Sequence, residues 1–250
     1  MNEFADQIVV VTGGAGGIGA CCVADFAAQG ARVFALDSNA DSLKDMMADM
    51  PENVSAITVD VTDRAALERA FNTIATSGGT DILVATAAIV KRESILDFDV
   101  QDWGRIIDVN LTGTFHCCQL AGRQMRTKGK GRIVTVSSVN GQIANTGRGA
   151  YSCTKGGVDM LTKMLAAELG NQGITANAVS PTPVDTPMIK KVHGPKDREV
   201  WHQQIPAERY ARPEEVTEAI KFLASDKAAY INGHILNVDG GFMASGVLFR

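Results

Sequence analysis

The sequence predicts an α/β fold, a doubly wound parallel β-sheet with helices on both faces. Three observations carry this. Short apolar runs rich in Val and Ile recur almost throughout the 250 residues. Segments with helical periodicity separate them. The run Thr12-Gly13-Gly14-Ala15-Gly16-Gly17-Ile18-Gly19 directly follows the first apolar run and opens a helical segment. Strands of about four to eight residues separated by helices indicate βαβ units with both sheet faces covered. Right-handed crossovers then wind the sheet in both directions from its centre.

The elements read in order. Residues 8–11 are all β-branched and predict a strand, and the glycine run leads into a helix over 17–29. A strand is expected at 32–36, a helix at 40–50, a strand at 54–59 and a helix at 64–76. A short apolar strand at 82–85 precedes one long helix around 103–127. Strand 132–136, helix 149–170 and strand 174–179 follow, then helix 214–225 and a last strand 235–238. Strands are assigned where β-branched residues run together, and helices where apolar residues recur at helical spacing.

No Pro/Ser-rich linker, charge block or low-complexity tract divides the chain, so residues 1–250 read as a single domain. A chain of this length can bury roughly three quarters of its unfolded surface. The stretch 183–206 breaks the rhythm and holds four of the seven prolines. It follows the carboxyl end of a strand, where ligands bind in open α/β sheets. A substrate lid is expected there, mobile without ligand and ordered over it.

Composition excludes several classes. A net charge of −4 argues against a nucleic-acid footprint. No apolar run approaches the ~20 residues of a membrane span. The segment Met1-Asn2-Glu3-Phe4-Ala5-Asp6 lacks a secretory pattern, so the cytoplasm is the expected compartment. The five cysteines include the adjacent pairs Cys21-Cys22 and Cys117-Cys118 and form no C-x-x-C, which predicts reduced thiols. The four histidines show no metal-ligand spacing, and no metal is expected.

The glycine run is the first chemical motif. Missing side chains let a pyrophosphate approach the backbone, and a helix N-terminus offers it free N–H groups and partial positive charge. Asp37, twenty residues after Gly17, closes the second strand. A carboxylate there accepts from both ribose hydroxyls of NAD and repels the 2′-phosphate of NADP. No Lys or Arg stands at 38–40 or in the glycine run to receive that phosphate. Asp60-Val61 ends the third strand and is placed at the adenine edge.

The second motif is Tyr151-Ser152-Cys153-Thr154-Lys155. Residues at i and i+4 share a helix face, so the phenol and the ammonium can point into one pocket. Cys153 faces away from them. Ser138 lies thirteen residues upstream of Tyr151, at the end of an apolar run.

Together these features resemble the short-chain dehydrogenase/reductase family, in its single-domain branch of the Rossmann fold, and the resemblance covers essentially the whole chain. Its glycine motif matches Thr12, Gly13, Gly17 and Gly19, with Ile18 between the last two. Its catalytic residues match Ser138, Tyr151 and Lys155, and its helix Asn matches Asn110. Pro181, Val184 and Thr186 match its segment beside the nicotinamide, and Val238-Asp239-Gly240-Gly241 its C-terminal motif. Two places depart. Ala85-Thr86-Ala87-Ala88 stands where the family usually shows Asn-Asn-Ala-Gly, and Thr182 where it shows Gly. By the resemblance, Ala87 lines the cofactor site.

The resemblance implies hydride exchange between a nicotinamide dinucleotide and a secondary alcohol or its ketone. Tyr151 would carry the proton, with Lys155 lowering its pKa and holding the nicotinamide ribose. Ser138 would bond the substrate oxygen, and Asn110 would hold a water linking Lys155 to solvent. Candidate substrate-wall residues are Ile89, Val90, Asn140, Gln142, Thr182 and the lid from Met188 to His202. The polar pair Asn140 and Gln142 suits a polyol, sugar or hydroxy acid. Lys190, Lys191, His193, Lys196 and Arg198 make the lid basic, which suits a carboxylate or phosphate or is a solvated face.

Two other readings stand beside this one. One is a carrier-linked 3-ketoacyl-thioester reductase, with Arg126, Lys128 and Lys130 docking an acidic carrier. Against it stand Asp37 and also Gln172, where those reductases carry a basic residue. The other is a non-catalytic dinucleotide sensor, which need not keep Ser138, Tyr151 and Lys155. A homotetramer is expected from family resemblance. Two further features agree: apolar residues over more than one face of helices 103–127 and 149–170, and the apolar tail 241–250.

Overall fold

The structure is a computed structural model that describes residues 2–246. Seven parallel strands form one sheet. They are β1 (Ile8–Thr12), β2 (Arg32–Asp37), β3 (Val54–Thr58), β4 (Ile82–Ala85), β5 (Gly131–Val136), β6 (Ile174–Pro181) and β7 (Ile235–Val238). Their order is β3-β2-β1-β4-β5-β6-β7. β1 pairs with β2 on one side, Val9 beside Val33, and with β4 on the other, Val9 beside Ile82. Chain direction across the sheet reverses at this β1/β4 junction, which opens a crevice at the strand carboxyl ends.

Two apolar cores cover the two faces. Successive strand residues point to opposite faces. Val9 and Val11 therefore join one core with helices α1 (Gly17–Ala28), α2 (Ala40–Met47) and α9 (Pro213–Ala224). Val10, Phe34 and Leu83 join the other with α3 (Arg64–Thr76), α5 (Thr114–Lys128) and α6 (Gly149–Leu169). Because both faces are buried, β1 reads as Ile-Val-Val-Val-Thr with no polar alternation.

Local chemistry sets the boundaries. Asn39 and Asp63 cap α2 and α3 by accepting from Ser42 N–H at 3.0 Å and Ala66 N–H at 2.9 Å. α2 stops at Met47 rather than at 50. Pro51 lies just beyond, and the residue before a proline disfavours helical backbone. α9 starts one residue early, with Pro213 preset for its first turn.

The single long helix expected over 103–127 is divided. α4 (Val100–Ile107) and α5 are joined by a π-helical turn, Asp108–Gly113. Its wider turn has a visible cause. The buried Asn110 amide accepts from Ile89 N–H at 2.8 Å and donates to Ile89 C=O at 2.9 Å. The freed Asn110 carbonyl takes the Thr114 hydroxyl at 2.7 Å. Gly113 permits the bulge to approach β3's exit: a Cβ there would sit 2.5 Å from Val61 Cγ2. Such turns often mark functional sites, and this one pins the segment after β4 beside the crevice.

The stretch 183–206, which breaks the rhythm in sequence, folds into two helices, α7 (Pro187–Val192) and α8 (Pro195–Gln204). Each begins with a proline. Thr186 caps the first.

Candidate active site

A cavity of about 1030 Å³ lies across the strand carboxyl ends. One end is formed by the glycine loop (Gly13, Gly17, Ile18, Gly19), Asp37, Asp60 and Val61. Gly13 adopts φ +65°, and a Cβ there would stand 2.9 Å from the Ala87 backbone. The loop therefore packs directly on the end of β4. Thr86, where the family usually has Asn, fastens this contact by donating to Thr12 C=O at 2.7 Å. A Cβ on Gly17 would fall 2.5 Å from Thr186 Cγ2, so loop and α7 also meet closely.

No side chain caps the N-terminus of α1. Uncapped N–H groups facing a cavity through bare glycines fit an anion such as a pyrophosphate. Asp37 Oδ2 accepts from Ala15 N–H at 3.1 Å, and Oδ1 from Asn39 N–H at 3.0 Å. Two bonds leave carboxylate lone pairs for a ligand's hydroxyls. This cradle fits a dinucleotide.

The other end carries the reacting groups. Tyr151 and Lys155 stand one turn apart on α6, and both line the cavity with Ser138. Ser138 Oγ accepts from the Asn140 backbone N–H and from its side-chain amide, each at 3.2 Å. Asn145 Nδ2 in turn donates to Asn140 Oδ1 at 2.6 Å. With its lone pairs so engaged, the Ser138 hydroxyl proton is directed elsewhere. Lys155 Nζ donates to Val136 C=O at 2.7 Å and lies 5.5 Å from the Tyr151 ring centroid.

The electrostatics depart from the sequence expectation. Burial raises the Tyr151 phenol above its ordinary value, and a Ser138 hydrogen bond and the Arg148 charge offset this only in part. Lys155 was expected to pull that value down. Instead burial pushes its own ammonium down to about 8, with the Asp159 carboxylate one turn along opposing the fall. Desolvation outweighs attraction because both groups sit in a poorly hydrated wall.

Most of the expected site residues converge. Ala87, Ile89, Val90, Asn140, Pro181, Thr182, Val184, Thr186 and Met188 all line the cavity. Two do not. Gln142 is exposed, and its amide donates to Ser180 Oγ at 2.8 Å and Asn237 Oδ1 at 2.7 Å. The single 3-10 turn Val139–Gly141 after Ser138 carries Asn140 to the cavity and turns Gln142 toward the sheet. Asn110 stands behind the wall, with its amide committed to Ile89 and to Thr154 Oγ1 at 3.3 Å. No donor of that side chain is left to hold a water for Lys155.

Of the basic lid residues, Lys191 and His193 reach the cavity. Arg198 bonds Asp185 at 2.8 Å and stacks over Tyr210. Sequence reasoning missed Arg148 and Asn145. Arg148 was legible in principle, because it stands three residues before Tyr151 and so shares its side of the helix start. Cys153 is exposed, and Cys22, Cys117 and Cys118 are buried with thiols pushed up by desolvation. Among the described residues no cluster of three metal-ligating side chains occurs.

Fold and site together define an oxidoreductase that works with a bound dinucleotide. Residues 13–243 match the family model described as enoyl-(acyl carrier protein) reductase. The chain is 39% identical to cis-4-hydroxycyclohexanecarboxylate dehydrogenase of Sinomonas cyclohexanicum over 97% of its length and 99% of that protein. It is 37% identical to D-threitol dehydrogenase of Mycolicibacterium smegmatis, covering 94% and 92% of the two chains. Identity is 36% to the 3-oxoacyl-[acyl-carrier-protein] reductase of Thermotoga maritima, over 95% and 98%. The crystal structure of levodione reductase superposes with a TM-score of 0.93 at 30% identity, covering 97% of this chain and 100% of that one. The chain belongs to the short-chain dehydrogenase/reductase family, whose members use nicotinamide dinucleotides and act on CH–OH groups.

The depressed Lys155 ammonium has a consequence for stability. Its folded pKa of about 8 lies below the ordinary ~10.4, so between these values the unfolded chain binds the extra proton. Stability then rises with pH across that window and is lost as pH falls through the folded value. The stability of the wild type minus that of Lys155→Met, from urea denaturation, should climb by roughly 1–3 kcal/mol between pH 8 and 10. Parallel curves would mean that Lys155 titrates normally.

Proposed function

We propose that this chain is an NAD(H)-dependent dehydrogenase that interconverts a secondary alcohol and its ketone. The observation that carries the reading is Ser138, Tyr151 and Lys155 at one end of a cavity whose other end is the glycine loop and Asp37. When bound, the dinucleotide exchanges a hydride with the substrate carbon. Tyr151 takes the alcohol proton during oxidation and returns it during reduction. Ser138 donates its hydroxyl proton to the substrate oxygen as charge builds there. Lys155 holds the nicotinamide ribose and supplies a positive field beside the phenol. A shift of the phenol toward neutrality needs about 4 kcal/mol for three pKa units, so Lys155, Arg148 and the ring's own charge must together overcome burial.

Asp37 favours NAD by accepting from the adenosine ribose and by repelling a 2′-phosphate. Ser38, Asn39 and Ala40 offer that phosphate no counter-charge. Polyols, sugars and hydroxy acids are the substrate classes that fit the polar wall at Asn140. Relatives named for a hydroxy acid and a tetritol agree with that range. The segment 183–206 acts as the lid that excludes water over the substrate. Five unpaired thiols favour the cytoplasm, and no helix of the described residues is long and apolar enough to cross a membrane.

A 3-ketoacyl-thioester reductase is the second reading, supported by the family model and the Thermotoga relative. It is weaker here because Lys128, one of three basic residues for carrier docking, is engaged by Asp81 and Gly79 C=O.

We further propose a homotetramer. Cys118, Leu120 and Val158 belong to the chain's own core, whereas Phe115, Met160 and Met164 on α5 and α6 are 42%, 57% and 49% exposed. That second apolar surface suits closed two-fold contacts. The tail 241–250 was expected at such a contact; residues 247–250 of it lie outside the described residues.

Three measurements test these proposals. Against a panel of secondary alcohols, polyols, hydroxy acids and ketoacyl thioesters, kcat/KM should favour NAD at least tenfold, and Asp37→Ser should relax that preference. Equal or better turnover with NADP would overturn the cofactor assignment. Tyr151→Phe should bind NAD normally and lose nearly all turnover. Retention of more than about a tenth, less than ~1.4 kcal/mol of transition-state stabilisation, would remove Tyr151 from its role. Sedimentation should give four times the 26.5 kDa chain mass, and a monomer at micromolar concentration would overturn the assembly.

A further inference from the structure

Arg148 carries a charge that no ion pair among the described residues balances. It is half-buried, lines the cavity, and precedes α6 by one residue, three before Tyr151. Arg105, the other arginine on the wall, is exposed. Among the described residues no carboxylate forms an ion pair with Arg148. Asp197, the nearby acid, is paired instead with Arg92 at 2.5 Å and accepts from Gly194 N–H. Arg92 adds like charge. Glu93 meets Arg148 by a backbone bridge, while its carboxylate accepts from Ser94 N–H.

The side-chain partner Arg148 does have is neutral. Its Nη2 donates to His193 Nε2 at 2.7 Å. A guanidinium can only donate, so Nε2 is the acceptor and the imidazole proton sits on Nδ1. Nδ1 then donates to Tyr210 Oη at 2.8 Å. Burial and the Arg148 charge both hold His193 below its ordinary pKa, which keeps it neutral. The ring is further held by Trp201, stacked at 6.4 Å with an interplanar angle of 13°. Thus one edge of the guanidinium is fixed from the lid, and its other donors have no protein anion to meet.

A partly desolvated cation without a counter-ion is costly. It is placed where a ligand supplies the anion. The dinucleotide's phosphates do not reach this role, since their cradle is the α1 terminus at the other end of the cavity. We propose that Arg148 is the receptor for a carboxylate of the substrate, and that the substrate is a hydroxy acid rather than a neutral alcohol or polyol. A planar fork matches a carboxylate in two parallel hydrogen bonds, and one guanidinium balances one negative charge. This contact fixes the distance from the acid group to the carbon bearing the hydroxyl at Tyr151, so Arg148 also selects regiochemistry. His193 is a positioning residue that aims the fork. The inference rests on the dehydrogenase reading above and narrows its substrate class.

The test uses matched pairs with NAD: 4-hydroxycyclohexanecarboxylate, 3-hydroxybutyrate and gluconate, each beside its neutral methyl ester or amide. The best acid should exceed its neutral partner at least tenfold in kcat/KM. Arg148→Met should cut kcat/KM for the acid at least thirtyfold, mainly through KM. The neutral partner should lose far less, and through kcat alone because Arg148 also lowers the Tyr151 phenol, while its KM and the NAD affinity, read from NADH fluorescence, should stay constant. Arg148→Lys should recover part of the acid's advantage, because charge returns without the fork. Equal losses on acid and neutral partner would make Arg148 merely structural. Turnover of neutral alcohols or polyols with rejection of all acids would overturn the inference while leaving the dehydrogenase standing. No NAD-linked turnover of any substrate in this set or the wider panel, with NAD bound, would overturn the dehydrogenase reading and this inference with it.

Discussion

Everything at the site depends on the reversal of chain direction between β1 and β4. Crossovers leave β1 toward β2 on one side and reach β4 on the other. No helix can cover the gap between them at the carboxyl ends, so backbone N–H groups and side chains there face a crevice. The glycine loop, Asp37, Thr86 and the chain after β4 reach the crevice because it lies between their strands. Ser138 and α6 arrive from β5 by the same rule. The loop's contact with Ala87, at 2.9 Å for an added Cβ, shows how little space the junction leaves. A bulkier residue at Gly13 would strain the backbone and separate the loop from β4.

The wall beside Tyr151 balances burial against charge. Burial alone makes both phenol and ammonium neutral-leaning, which defeats proton transfer near neutrality. Opposing charges must come from ligands or from residues that remain ionised. Arg148 meets that need because a guanidinium holds its proton even where burial lowers its pKa. Lys155, pushed to about 8, can respond to what binds beside it. The two cations thus differ in kind: one is a fixed charge and one is adjustable.

Much of this was legible in the sequence. Buried parallel strands appear as unbroken apolar runs, so β1 and β4 are read with near-correct limits. The loop, Asp37 and the Ser138/Tyr151/Lys155 set carry their spacing in the chain itself. What was not legible arose from contacts between distant segments. The π-helical turn depends on Asn110 meeting Ile89, which no local periodicity reveals. Gln142 looked like a cavity residue because it follows Ser138. A single 3-10 turn decides its direction, and Ser180 and Asn237 hold it there. The basic lid was read as a group, yet Arg198 pairs with Asp185 while His193 turns inward.

The lid's chemistry explains why its basic residues are not equivalent. A solvated lysine on α7 contributes little to binding, because water and salt screen it. His193 contributes without any charge, by fixing a guanidinium that stands just before α6. The link runs from Tyr210 through His193 to Arg148, over contacts of 2.8 and 2.7 Å, and Arg148 stands three residues before Tyr151. If 183–206 closes over the substrate as proposed, it does more than exclude water. It would also hold the Arg148 guanidinium in place through His193. A substrate lacking an anion would leave that cation unmatched in the closed state, and closure itself would disfavour it.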